Sequence, residues 1–296
     1  MPPVRSAAHA SARRLLAVFV VSLAVLVVEI VGGMAANSLA LLADAGHVFT
    51  DVAGIGLALL AIWVAARPAG DDRTFGYLRL EVLAAVVNAV LLLVVAGVIL
   101  VEAWRRLAEP PTVTPSIMLA VALLGLIANA ASLAILRPTQ GHSLTVRGAY
   151  LEVVGDFAAS AAVIVAAIVV AATGWAAADP LASALIAILI LPRTWALLRD
   201  AVDVLLEASP KGVALADVRT HILEAPGVAD VHDLHAWTIT SGMNVVSAHV
   251  VVEPDADRAA VLDHLCECLS ADFDIEHSTF QLETSDRRRI EAAVHG

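Results

Sequence analysis

Two pairs of ionisable residues, His47 with Asp51 and Glu152 with Asp156, stand four residues apart inside long apolar runs. On a helix that spacing puts both members of a pair on one face. Two such faces turned together make a cage of one imidazole nitrogen and carboxylate oxygens, a donor set that suits tetrahedral Zn²⁺. Ionisable groups at mid-bilayer cost about 2.5–3.5 kcal/mol each even on the lenient insertion scale. A purely structural reading would have them solvated near span ends or paired with arginine for helix packing. No Arg or Lys lies between Leu15 and Ala66 or between Gly148 and Pro192, so the three carboxylates need a cation. Asp44, three residues before His47, either orients the His47 ring or reaches from a helix end to the interface. Glu29, Asn88 and Asn129 either line the path or hydrogen-bond between helices, and they stay outside the ligand set.

The elements that position these residues are membrane spans. The 296 residues are 59% hydrophobic and 16% charged, with a mean hydropathy of +0.83, the composition of a membrane protein. Apolar runs at Leu15–Val28, Ala53–Ala66, Val82–Val101, Ile117–Leu136, Ala158–Ala172 and Leu181–Leu191 extend to about the 20 residues a crossing requires. The expected architecture is an all-α six-span transmembrane domain, residues 1–206, followed by a small α+β domain, residues 207–296. With a cytoplasmic N-terminus, Arg5, Arg13, Arg14, Arg67, Arg73, Arg79, Arg137 and Arg147 fall inside and only Arg105 and Arg106 outside. The positive-inside rule then puts both termini in the cytoplasm, as expected of a multi-pass protein of the plasma (inner) membrane. A cleaved leader is the rival for the first span, but Glu29 sits awkwardly in a leader's apolar region.

After Arg199 charge mixes with short apolar stretches. Val213–Ala225 and Ala259–Leu269 read as amphipathic helices, Val228–Thr240 and Val245–Val252 as strands joined at Ser241–Asn244, and Phe273–Leu282 as a last strand. The order αββαβ predicts helices on one face of a small sheet. Cys266 and Cys268 are a poor disulfide pair and fit a reducing compartment. Cys268, four residues after His264, either joins a soft-metal site or is a buried structural cysteine.

The sequence also excludes several functions. The net charge of −11 offers no basic face for nucleic acid. The single lysine, Lys211, follows Pro210, so neither a G-K-[ST] phosphate loop nor a D-K-T-G phosphorylation loop exists and no nucleotide is expected. Carboxylates and a histidine in a poorly hydrated cage can bind either protons or metal, so the expected energy source is exchange of metal for protons. An intramembrane metalloenzyme would need H-E-x-x-H, and a serine hydrolase G-x-S-x-G; both are missing, so no enzyme is expected. A membrane metal sensor is the other alternative.

Several segments, in order, resemble one family. S-L-A-L-L-A-D-A-G-H-V-F-T-D at Ser38–Asp51, T-F-G-Y-L-R-L-E at Thr74–Glu81, V-R-G-A-Y-L-E-V-V-G-D at Val146–Asp156 and D-P-L-A-S-A-L-I-A at Asp179–Ala187 resemble spans of the cation diffusion facilitator family. H-D-L-H-A-W-T-I-T-S-G at His232–Gly242 and H-S-T-F-Q-L-E at His277–Glu283 resemble its cytoplasmic domain. The resemblance implies proton-coupled efflux of Zn²⁺ and related metals (Cd²⁺, Co²⁺, Fe²⁺, Mn²⁺) by a homodimer with a ferredoxin-like cytoplasmic domain. It carries His47, Asp51 and Asp156 over as transport ligands, with Glu152 standing where many members have His. It also implies tail metal ligands at His249, His264 and Glu283, with His232 and His277 as further candidates. The His-rich loop of some members is absent, since Arg137–Arg147 holds only His142, and Arg67–Arg73 offers Asp71 and Asp72 without a histidine.

Overall fold

The computed structural model describes residues 4–287 apart from 66, 68, 138–143, 241 and 276. His142 and the turn residue Ser241 lie outside the described residues, as do the side chains of Arg5, Arg13, Arg14 and Arg147. The chain packs as two units, Met1–Leu59 with Val87–Leu198 and Leu60–Val86 with Arg199–Gly296. Six long helices come first: α1 (Val4–Ala36), α2 (Leu39–Ala65), α3 (Leu80–Ala108), α4 (Pro115–Leu136), α5 (Leu144–Thr173) and α6 (Ala178–Leu205). Five of them, all but α2, are long and apolar enough among the described residues to cross a membrane. The 27-residue α2, which carries Asp44, His47 and Asp51, stands where the sequence predicts the remaining span. Large apolar side chains such as Leu124, Ile127, Val165 and Leu189 stand exposed on these helices, a surface suited to lipid.

Within the first unit small residues bring helices close. At Gly32 on α1 an added Cβ would lie 2.4 Å from Val121 Cγ2 on α4, and at Gly46 on α2 one would lie 2.9 Å from Val95 Cγ1 on α3. The α1–α2 corner is set by Asn37, left-handed at φ 51. Asn37 N–H bonds the Met34 carbonyl and Ser38 N–H the Gly33 carbonyl, the arrangement that closes a helix C-terminus when its next residue turns left-handed. The first turn of α2 then meets the start of α6. Asp179 is fully buried and accepts from Ser38 Oγ at 2.5 Å, Leu39 N at 2.7 Å and Ala40 N at 3.2 Å. Two of these donors are helix N-terminal amides that lack intrahelical partners, so the dipole of α2 stabilises the charge. Further along α6, Pro192 cannot donate to Ile188 and loosens the helix next to Arg193.

The second unit contains α7 (Leu215–Leu223), β1 (Val228–Thr240), β2 (Met243–Val252), α8 (Arg258–Phe273) and β3 (His277–Glu283). The sheet order is β1-β2-β3, with β1 antiparallel and β3 parallel to β2. Val218, Ile222, Leu265 and Leu269 of the two helices pack with Val231, Val246 and Val250 of the sheet. This is the expected small α+β, ferredoxin-like domain. Its last strand starts later than the sequence predicts, at His277, because α8 runs on to Phe273. Asp274, left-handed at φ 55, ends the helix, its N–H bonding the Leu269 carbonyl. Glu81 joins this unit through Thr240 Oγ1, which donates to Glu81 Oε2 at 2.5 Å.

Candidate metal centre

α2 and α5 bring His47, Asp51 and Asp156 together. His47 Nε2 lies 3.6 Å from Asp51 Oδ2 and 3.5 Å from Asp156 Oδ1, and one ligand atom of each residue lies within 4.8 Å of the others. Donors about 2.0 Å from a tetrahedral Zn²⁺ stand about 3.3 Å apart, so the three atoms need little movement to share an ion. Among the described residues Asp156 Oδ1 and His47 Nδ1 are buried without a hydrogen-bond partner. Buried polar atoms are rarely left so, and a cation beside Asp156 would satisfy its oxygen. The cluster opens on a cavity of about 300 Å³ whose lining includes His47, Asp51, Asn88, Glu152, Arg193 and Thr194.

Glu152 shares the cavity but not the cluster. Arg193 Nη2 on α6 donates to Glu152 Oε1 at 3.2 Å. The expectation that all three carboxylates lack a basic partner is therefore corrected. The partner sits one residue past the arginine-free stretch ending at Pro192, on a different helix. Asn88 also lines the cavity, and a Cβ on Gly54 of α2 would stand 2.6 Å from its Nδ2. Asp44 does not reach His47 by any hydrogen bond among the described residues; it accepts from Ser160 Oγ at 3.4 Å.

A second cluster lies in the α+β domain. His232 and His249 are paired across β1 and β2, and Glu283 lies beside Val251 across β2 and β3. The nearly buried Glu283 carboxylate spans both rings, with Oε2 3.2 Å from His232 Nε2 and Oε1 3.2 Å from His249 Nδ1. One ligand atom from each residue lies within 4.8 Å of the others. Asp233, left-handed at φ 48 in an irregularity of β1, brings Oδ2 to 3.8 Å from His249 Nε2. His264 and His277 are not brought to this cluster. His264 borders a separate cleft with Pro226 and Gly227, and His277 packs edge-on against Phe75, ring centroids 5.6 Å apart. Nor does Cys268 join it. Its Sγ lies 3.5 Å from the Leu265 carbonyl, and burial, followed by the Asp272 charge, pushes its thiol above the ordinary range, away from the thiolate that binds metal.

The two partly buried clusters, one between apolar helices and one on a small sheet, lie in two stretches that match two family profiles. Residues 15–206 match the cation efflux transmembrane domain and residues 210–285 the cytoplasmic domain of cation efflux proteins. The chain belongs to the cation efflux family. This is the cation diffusion facilitator family that the motifs resemble. The chain is 46% identical over 274 residues to the metal cation efflux system protein CzcD of Cupriavidus metallidurans, covering 91% of this chain and 86% of that protein. It is 42% identical to the zinc transporter ZitB of Escherichia coli (92% and 88% covered). It is 36% identical to the cadmium, cobalt and zinc/H(+)-K(+) antiporter of Bacillus subtilis (93% and 90%). The solved metal-bound C-terminal domain of the CzcD transporter is 43% identical, covers 24% of this chain and 99% of that one, and gives a TM-score of 0.23.

As a cation efflux protein, the chain is a multi-pass membrane transporter of metal cations. Sequence reasoning missed Arg193 beside the membrane cluster, Asp233 beside the tail cluster, and the hold of Asp179 on the first turn of α2. Arg193 is signalled only by an arginine directly after an intrahelical proline. Asp179 is signalled only by its place before the proline at the start of α6.

Proposed function

We propose that the chain exports Zn²⁺ from the cytoplasm by secondary active exchange for protons, with Cd²⁺, Co²⁺, Fe²⁺ and Mn²⁺ as further substrates. The observation that carries this reading is the His47, Asp51 and Asp156 cluster, partly buried between apolar helices beside a cavity. An imidazole nitrogen with carboxylate oxygens suits zinc. The names of the relatives, a zinc transporter and a zinc/H(+)-K(+) antiporter among them, support the metal and the counter-ion. Metal and protons compete for the same donor atoms, because carboxylates and imidazole bind metal only when deprotonated.

In this reading residues 1–206 form the transport domain and residues 207–296 a cytoplasmic domain that pairs two copies of the chain. Glu283, spanning two histidines, supports a resident zinc in that domain. The charge bias of the connecting segments supports two cytoplasmic termini in the plasma (inner) membrane. Purified protein in liposomes holding a zinc-sensitive dye tests the mechanism. Zinc uptake should require an outward proton gradient and no nucleotide. Uptake that survives a protonophore, or that needs ATP, would sink the proposal.

A further inference from the structure

A second carboxyl pair lies in the helical unit. Glu29 on α1 and Asp44 on α2 are 1% and 2% exposed and stand within hydrogen-bonding reach of each other. Asn129 Nδ2 on α4 donates to Ser160 Oγ on α5 at 3.4 Å, and Ser160 Oγ donates to Asp44 Oδ2 at 3.4 Å. Among the described residues Glu29 Oε2 and Asp44 Oδ1 are buried with no hydrogen-bond partner. Asp156 on α5, itself acidic, also acts on Glu29. The place is also built to size. At Gly125 on α4 an added Cβ would stand 3.1 Å from Glu29 Oε1 and 3.3 Å from Ser160 Oγ, so any larger residue would push the carboxyl away.

Two carboxyls in contact in an apolar setting cannot both be charged. The pair offers oxygen donors only and is not part of the lining of the 300 Å³ cavity. A proton fits there without added volume. Asp44 and His47 are three residues apart on α2, a rise of about 4.5 Å, while Ser160 is one turn from Asp156 on α5. The pair therefore sits about one turn along the same α2–α5 seam from the metal cluster.

We propose that Glu29 and Asp44 form a proton-binding site distinct from the metal cluster, holding one proton between their carboxyls and releasing it when metal binds at His47, Asp51 and Asp156. The proposal rests on the proton-exchange reading above. Arrival of a doubly charged ion one turn away disfavours the shared proton by Coulomb repulsion, which is strong in a poorly hydrated interior. The O–H bond breaks, the proton passes to water, and the electron pair stays on the carboxylate, whose charge then faces the metal. Departure of the metal reverses the step.

Proton release into weakly buffered detergent solution on zinc addition tests this. Glu29→Gln keeps shape but cannot ionise, so it should bind zinc within about threefold of wild type yet release about one proton fewer per zinc. Asp44→Asn should do the same, and the double variant should lose no more than either single one. In the unaltered protein, an infrared band of a protonated carboxyl should vanish when zinc is added. Equal proton counts in wild type and both variants, or, should the variants fail to fold, a wild-type band untouched by zinc, overturn the proposal while leaving antiport intact. Absence of any zinc-linked proton release in wild type removes the antiport reading and this site with it.

Discussion

Arg193 on α6 donates to Glu152 on α5 across 3.2 Å, inside the cavity that His47 and Asp51 also line. A guanidinium and a divalent cation cannot use the same carboxylate equally well. On the proposed reading, a metal would find three protein donors while Arg193 holds Glu152, and four once Glu152 is freed.

Arg193→Gln is therefore expected to lower the KM for zinc about tenfold, equivalent to about 1.4 kcal/mol, and to slow the maximal rate as release becomes harder. Glu152→Ala should lose most of the flux. Glu152→His should keep zinc flux and weaken Mn²⁺ and Fe²⁺ relative to zinc, since oxygen suits the harder ions better. Proteoliposome flux over these metals reads each effect. An unchanged KM in Arg193→Gln would show that the arginine does not compete for Glu152.

The Asp179 carboxylate accepts three hydrogen bonds at the first turn of α2 while fully buried. Hydrogen bonds to a charged group contribute about 1.5–3 kcal/mol each. Asp179→Ala should destabilise the protein by roughly 3 kcal/mol or more, and Ser38→Ala by about half that. Thermal unfolding in detergent should rank the two in that order. Equal midpoints for both variants and wild type would deny Asp179 this role.

At Gly32 an added methyl would collide with Val121 at 2.4 Å. Gly32→Ala is expected to cost about 1–3 kcal/mol by overpacking, and Val121→Ala in the same chain should recover part of it. The rescue is the informative arm, because a loss arising elsewhere would not respond to Val121.

In the cytoplasmic domain, only some of the histidines share a metal-sized space. His249→Ala or Glu283→Ala should remove one zinc per chain in equilibrium dialysis, whereas His264→Ala, His277→Ala and Cys268→Ser should keep it. Loss of that zinc in the His264 variant would move the site to α8.

The membrane cluster was legible because a bilayer makes ionisable side chains conspicuous, and four-residue spacing fixes their face on any helix. The Arg193–Glu152 pair was not, since a contact between α5 and α6 leaves no mark on the spacing within either helix. Asp179 reaches Leu39 across 140 positions, which no local pattern encodes. In the tail the hairpin was readable from alternation. The choice of His232 and His249 over the other histidines depends on register and on the kink at Asp233, and one residue of slip would turn every side chain to the opposite face. The end of α8 was misjudged because Asp274 adopts a left-handed conformation more often left to glycine or asparagine.

The clasp of Asp179 on the first turn of α2 makes that helix a lever. With its start pinned to α6, any tilt moves each residue in proportion to its distance from the pivot. Asp44 stands about 7.5 Å along the axis from Leu39 and Asp51 about 18 Å. A swing of about 10° would carry Asp44 about 1.3 Å and Asp51 about 3 Å. The nearer displacement is less than half the farther one, which exceeds a metal–oxygen bond of about 2 Å. A modest rocking of α2 would thus shift Asp51 far more than it shifts Asp44.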